Sequence, residues 1–120
     1  RGIFVHISSI QGLGAPNFED YRATDMTSPA EYTAVKHGIV GLTKYLAKYY
    51  SGMAIRVNCV SPGGISDEQP ESFRVRYRES CNSKGLLDAE DVAEPVSFLL
   101  SPSAAFITGH NLVVDDGWSL

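Results

Sequence analysis

Three short strand-like runs constrain the fold more than anything else in this chain. They are Gly2-Ile3-Phe4-Val5-His6-Ile7, residues 54–60 (Ala-Ile-Arg-Val-Asn-Cys-Val) and Asn111-Leu112-Val113-Val114-Asp115. Each is rich in β-branched residues and stops at small, glycine-containing or acidic turn residues, as strands do. The gaps between them are far too long for hairpins and carry helical patterns. Strands separated by helices pair in parallel through right-handed crossovers, so an α/β layered sheet is expected, in the order strand, helix, strand, helix, helix, strand. The first run is almost wholly apolar, which predicts a strand buried on both faces. Because the sequence opens directly in it, an element N-terminal to it is expected to be missing.

The helix between the first two strands is the best marked. Ser28 suits the N-cap, Pro29 the first turn and Glu31 the third position of a capping box. Apolar positions then recur at helical spacing from Tyr32 to Tyr50, where Ser51-Gly52 ends the run. Pro62-Gly63-Gly64 is expected to close the second strand. Residues 71–80 form a charged, weakly helical stretch. Asp88-Ala89-Glu90-Asp91 caps a further helix with Val92, Val96, Leu99 and Leu100 as its apolar stripe, and Pro102 follows its end. Residues 15–28 are polar and acidic without a period, a long connection of the kind that is either functional or mobile.

Charge and composition exclude several classes of function. The 10 basic and 14 acidic side chains give a net charge of −4, with no Lys/Arg run to follow a phosphate backbone, so nucleic acid is not an expected partner. No apolar stretch reaches the roughly 18 residues of a membrane helix, and nothing reads as a signal peptide. A cytoplasmic protein is the expectation. Cys59 and Cys81 make no metal-type spacing; no metal site is expected, and two reduced thiols are the ordinary reading, although spacing alone does not decide whether they bridge.

Ligands of open parallel sheets sit beyond the carboxyl ends of the strands. The loops there begin at Ser8-Ser9, Pro62-Gly63 and Asp116-Gly117. Tyr32, in the first turn of the long helix, can reach the first of these. Lys36 lies four residues on, on the same helical face, and an ammonium beside a phenol favours the phenolate, as does the helix N-terminus. Ser9 adds a hydroxyl able to donate to a carbonyl or alkoxide oxygen. Together these suit proton transfer at a C–O centre. Alone, Tyr-x-x-x-Lys is a pattern any amphipathic helix can carry, and a packed tyrosine beside a solvated lysine is its ordinary explanation.

The surroundings change that weighting. Gly2–Ile7 with Ser8-Ser9, then Tyr32-Thr33-Ala34-Val35-Lys36, resembles the core of the short-chain dehydrogenase/reductase family. Residues 55–65 (Ile-Arg-Val-Asn-Cys-Val-Ser-Pro-Gly-Gly-Ile) are similar to that family's strand ending in a Pro-Gly turn. Asp91-Val92-Ala93, Phe98-Leu99-Leu100-Ser101 and residues 108–115 (Thr-Gly-His-Asn-Leu-Val-Val-Asp) resemble its last helix and strand. The resemblance covers the chain apart from residues 15–28 and part of 67–86. It implies a three-layer, parallel-sheet Rossmann-type fold, with residues 1–120 as the C-terminal half of a single domain. It further implies an oxidoreductase moving a hydride between NAD or NADP and a small carbonyl or alcohol substrate, a sugar among the candidates. Tyr32 is then the acid/base, Lys36 its partner and a holder of the nicotinamide ribose, and Ser9 orients the substrate oxygen. Pro62, Gly63 and Ile65 line the nicotinamide. A homo-oligomer, dimer or tetramer, is the expected state of the full-length protein, with Tyr45, Tyr49 and Tyr50 as candidate contact residues or simply one face of an amphipathic helix.

The departures from the family pattern are specific. Its glycine-rich phosphate loop, cofactor-selecting residue and catalytic asparagine belong to an N-terminal half, and no Gly-x-x-x-Gly-x-Gly occurs here. The isolated chain is accordingly expected to be inactive, a structural or binding piece only. Ser9 and Tyr32 stand 23 residues apart, more than is usual; Tyr21 follows Ser8 by 13 but has Asp25, not lysine, four residues on. Residues 15–28 are therefore either a lengthened loop over the substrate entrance or a tolerated surface insertion. If functional, Glu19, Asp20, Asp25 and Tyr21 favour a hydroxyl-rich or cationic substrate such as an amino sugar. Asp67 replaces a frequent threonine near the cofactor, and Asp116-Gly117 a frequent Gly-Gly. An extended-branch nucleotide-sugar epimerase or dehydratase shares Tyr-x-x-x-Lys, but the Pro-Gly turn and the Val-Asp ending argue against it. Gln11 is a candidate pocket wall. His6 and His37 read as packed or surface histidines, and Trp118 as a core or interface aromatic.

Overall fold

The computed structural model describes residues 1–120. Three parallel strands lie in the order β1 (Gly2–Ile7), β2 (Ile55–Pro62), β3 (Asn111–Val114). Val5 pairs with Asn58 and Ile7 with Val60, and Val60 pairs in turn with Leu112. Three α-helices connect them: α1 (Ala30–Tyr49), α2 (Glu71–Glu79) and α3 (Ala89–Leu100). The expected element order is the observed one.

Alternation along β2 sorts the layers. Side chains of successive strand residues point to opposite faces. Val60, with Val5, Leu112 and Val114, packs on α3 through Val92, Val96 and Leu99. On the same face Arg56 donates from Nη1 to the Leu99 carbonyl (2.9 Å) and from Nη2 to that of Ser101 (3.2 Å), a cation closing the C-terminal end of α3. His6, paired with Cys59, looks the other way and hydrogen-bonds Thr43 of α1 through Nδ1 at 2.8 Å. Helices therefore cover both faces, the three-layer, Rossmann-like arrangement.

Several local expectations need correction. β1 is not buried on both faces, because it is the sheet's edge strand: Phe4 is 52% and Ile7 46% exposed. β2 does not stop before the proline. Pro62 is its last residue, opposite Val114, and the proline is tolerated because the adjacent amide that faces β3 belongs to Gly63, which donates to the Val114 carbonyl at 2.8 Å. The missing Pro62 N–H points towards β1, whose pairing ends at Ile7. At α1 the cap position falls on Pro29, and Ser28 makes no capping bond. Its hydroxyl is engaged elsewhere, at Gln11. On α3 the capping box is as expected, Asp88 with Asp91, whereas Leu100 is turned outward. Residues 15–28 contain a 3₁₀ turn, Phe18–Tyr21, and fold back onto α2: the Tyr21 ring meets Phe73 edge-on at 5.2 Å, and Arg76 donates to the Arg22 carbonyl. Both cysteines are free thiols.

Candidate active site

At the carboxyl end of β1 two adjacent serines do different work. The Ser8 hydroxyl, buried, donates to the Lys36 carbonyl at 2.7 Å and ties the strand end to the helix. Ser9 is extended and caps the 3₁₀ turn Ile10–Gly12, its Oγ accepting the Gln11 N–H at 3.1 Å. That leaves the Ser9 O–H free to donate. The close approach of turn and helix depends on Gly12, where a Cβ would stand 2.4 Å from Ser8 Oγ and 2.7 Å from the Lys36 carbonyl oxygen.

Through this packing α1 presents Tyr32 and Lys36 to the same space. Lys36 Nζ lies 5.3 Å from the Tyr32 ring centroid and donates to the Ile7 carbonyl at 3.3 Å. The remaining ammonium donors have no protein partner. Tyr32 is 40% exposed. Gln11 is fixed by its amide oxygen, which accepts from Ser28 Oγ (2.7 Å) and Thr33 Oγ1 (3.1 Å).

The loop after β2 is held from below. The Gly64 N–H donates to the Tyr77 hydroxyl at 2.6 Å, and Leu87 N–H to the Gly64 carbonyl at 2.8 Å. Burial pushes the Tyr77 phenol well above its ordinary value, so it stays protonated, a structural tyrosine. Its ring stacks between Phe73 (5.7 Å) and Trp118 (5.9 Å).

These parts enclose one cavity of about 400 Å³. The residues expected to touch substrate or nicotinamide, Ser9, Gln11, Tyr32, Lys36, Pro62, Gly63 and Ile65, all border it, whereas Glu19 and Asp25 of the long loop do not. Asp20, Tyr21 and Met26 of the long loop border it too, so the loop lies over the cavity rather than on a remote surface, whereas Asp67 is exposed and takes no part. Tyr21, the alternative tyrosine, is a wall aromatic whose phenol burial pushes up. The histidines stay outside: His6 is packed on Thr43, and His37 bonds the Thr33 carbonyl. Sequence reasoning missed Phe73 and Tyr77. Their spacing of four on α2 marks an apolar face in an otherwise charged helix. Trp118, expected as a core or interface aromatic, also faces the cavity.

Comparison with known proteins matches this chain, over residues 5–119, to a family model described as Enoyl-(Acyl carrier protein) reductase. Post-translational flagellin modification protein A of Campylobacter coli is 49% identical over 119 residues, 99% of this chain and 46% of its own length. A cyclohexanol dehydrogenase of an Acinetobacter species is 37% identical, covering 98% of this chain and 43% of its own. Among solved structures, a short chain dehydrogenase from Leptospira borgpetersenii with bound NAD+ superposes with a TM-score of 0.91 at 35% identity, over 98% of this chain and 44% of that one. The chain thus spans less than half the length of these relatives.

Proposed function

This chain belongs to the short-chain dehydrogenase/reductase family, and from that premise we propose that residues 1–120 form the C-terminal half of a Rossmann-type domain whose whole protein interconverts a small alcohol and carbonyl compound using NAD or NADP. The single observation that carries this reading is that Ser9, Tyr32 and Lys36 border the same cavity as Pro62, Gly63 and Ile65.

The donor set fits the nicotinamide end of such a cofactor. Lys36 keeps ammonium hydrogens free for a ribose hydroxyl, and Pro62 and Ile65 offer an apolar wall. When bound, the nicotinamide supplies or accepts the hydride. The chain's own residues handle the proton. In the oxidising direction Tyr32 Oη takes the proton from the substrate hydroxyl, and in the reducing direction it returns one to the carbonyl oxygen. The Lys36 ammonium stands beside the ring that carries negative charge once its proton has left. Ser9 O–H, free because the Ser9 oxygen is occupied by an acceptor bond, donates to the same substrate oxygen and offsets charge building there. Ser8 and Gly12 act only by position, holding Lys36 against the strand end.

Homo-oligomerisation and a cytoplasmic location are part of the same proposal. Tyr45 and Tyr49 stack in parallel on an exposed face of α1, and no helix is long and apolar enough to cross a membrane. The decisive experiment is Tyr32→Phe in the whole protein. A fall in NAD(P)-dependent kcat/KM of about 10²–10⁴-fold with an unchanged circular dichroism spectrum is expected. Near-normal turnover by the variant rejects the assignment.

A further inference from the structure

The cavity holds one polar pair that the proposed proton chemistry leaves unused. Asp20, from the 3₁₀ turn of the long loop, borders the cavity at only 3% exposure, and its carboxylate accepts a single hydrogen bond, from Asn17 Nδ2 at 3.1 Å. Beside it lies the Trp118 indole N–H, which is buried, makes no hydrogen bond of ordinary geometry, and stands near enough to the carboxylate to act on it as a weak donor. An unpaired buried donor is costly, and a native structure that keeps one calls for an explanation. Burial also raises the Asp20 carboxyl above its ordinary value, opposed by Trp118 and by the Arg76 charge. The two come from segments that carry none of Ser9, Tyr32 and Lys36: the 3₁₀ turn of the long loop and the chain after β3.

We propose that Asp20 and Trp118 form a substrate subsite for a hydroxyl group other than the one that reacts, so that the substrate class is a polyhydroxylated alcohol or its carbonyl form. This rests on the reading of the cavity as the substrate site. A hydroxyl satisfies both partners at once, accepting from the Trp118 N–H while donating to the Asp20 carboxylate. An ammonium group bonds the carboxylate but leaves the indole N–H unpaired, and an apolar substituent leaves both. Of the two substrate types that the loop's acidity suggests, hydroxylated and cationic, the indole selects the hydroxylated one. Sites built to hydrogen-bond a hydroxyl discriminate strongly against analogues that lack it, because their own buried groups are then left unpaired.

The test compares cyclohexanol with the 1,2-, 1,3- and 1,4-cyclohexanediols, binding to the whole protein being followed by ligand-observed NMR. No turnover is required. The best diol is expected to bind about tenfold tighter than cyclohexanol, the effect of one well-made hydrogen bond. Asp20→Ala should remove that preference. Trp118→Phe, which keeps the ring stacked on Tyr77 and so guards against a folding defect, should reduce it at least about threefold. Equal affinities in the unaltered protein, absence of any diol binding, or a preference that survives both substitutions overturns the subsite. A diol preference that depends on Asp20 in a protein without hydride transfer sustains the subsite while rejecting the proposed reaction.

Discussion

Asp116 holds a backbone conformation that favours glycine, with φ at +53°, where glycine is frequent in the family the sequence resembles. What compensates is its carboxylate, which accepts the N–H groups of Ser83 (3.0 Å), Lys84 and Gly85 (2.8 Å) and the Ser83 hydroxyl (2.9 Å). Those bonds, Gly85's first, hold its carboxyl down at about 2 from an ordinary 3.8. A depressed carboxylate contributes stability that is full above its unfolded value and is lost as pH falls through the folded one. Thermal melts should therefore show the unaltered chain losing Tm between about pH 4 and pH 2 more steeply than Asp116→Asn, whose Tm is lower by a few degrees at neutral pH. Parallel pH profiles for the two would refute this role. That Asp116 departs from a glycine pattern is legible in sequence; its partners are not, since the turn it closes lies more than thirty residues earlier. Trp118 is a similar case, because nothing in the sequence says which side chain its indole N–H will face.

Among the elements, the contact between the 3₁₀ turn after β1 and helix α1 decides where the proposed acid/base stands. Gly12 permits it, and a methyl group there would press on a backbone carbonyl that has no rotamer to change. Gly12→Ala should cost about 1–3 kcal/mol as overpacking. It should also push Lys36 away from Ile7, so turnover in the whole protein falls along with Tm. Differential scanning calorimetry and kinetics on one preparation check both, and a variant with unchanged Tm and turnover would show that the contact yields freely. Element types and order were legible because periodicity survives burial: α1 repeats at helical spacing, and in β2 Ile55, Val57 and Cys59 alternate with Arg56 and Asn58. Boundaries were less so. Ser28 carries every sign of an N-cap, yet its hydroxyl serves Gln11, seventeen residues away in sequence, and such a tertiary partner leaves no local trace. Phe73 and Tyr77 were submerged for a related reason, since two aromatic residues among charged neighbours give a weak stripe until the cavity they floor is seen.

On the scale of the whole molecule the chain is extended, 51 × 27 × 23 Å, with a radius of gyration of 15.5 Å against roughly 14 Å for a compact domain of this length. Only 20 of its 120 residues are buried, and Phe4, Ile7, Val35 and Leu42 are exposed on β1 and α1. An edge strand with an apolar surface leaves backbone donors and acceptors unpaired and apolar area in water, a combination that folded domains cover. The parallel pairing and the helix layers were legible because the crossover rules leave few alternatives; the exposure of β1 was not, because an apolar strand reads the same at an edge as in the centre. The same geometry bears on function. The cavity's residues fit the nicotinamide and substrate ends of the proposed reaction, whereas the sequence holds no glycine-rich turn for a pyrophosphate. Most of a dinucleotide's binding energy comes from contacts remote from the reacting ring, and remote contacts are what orient the reacting centre. The purified 120-residue chain is therefore expected to show no saturable NADH or NADPH binding below about 1 mM by fluorescence titration, and no detectable alcohol oxidation, while the whole protein shows both. Turnover by the isolated chain would mean that these residues hold the cofactor unaided, and the division of the site between two halves of one domain would have to be given up.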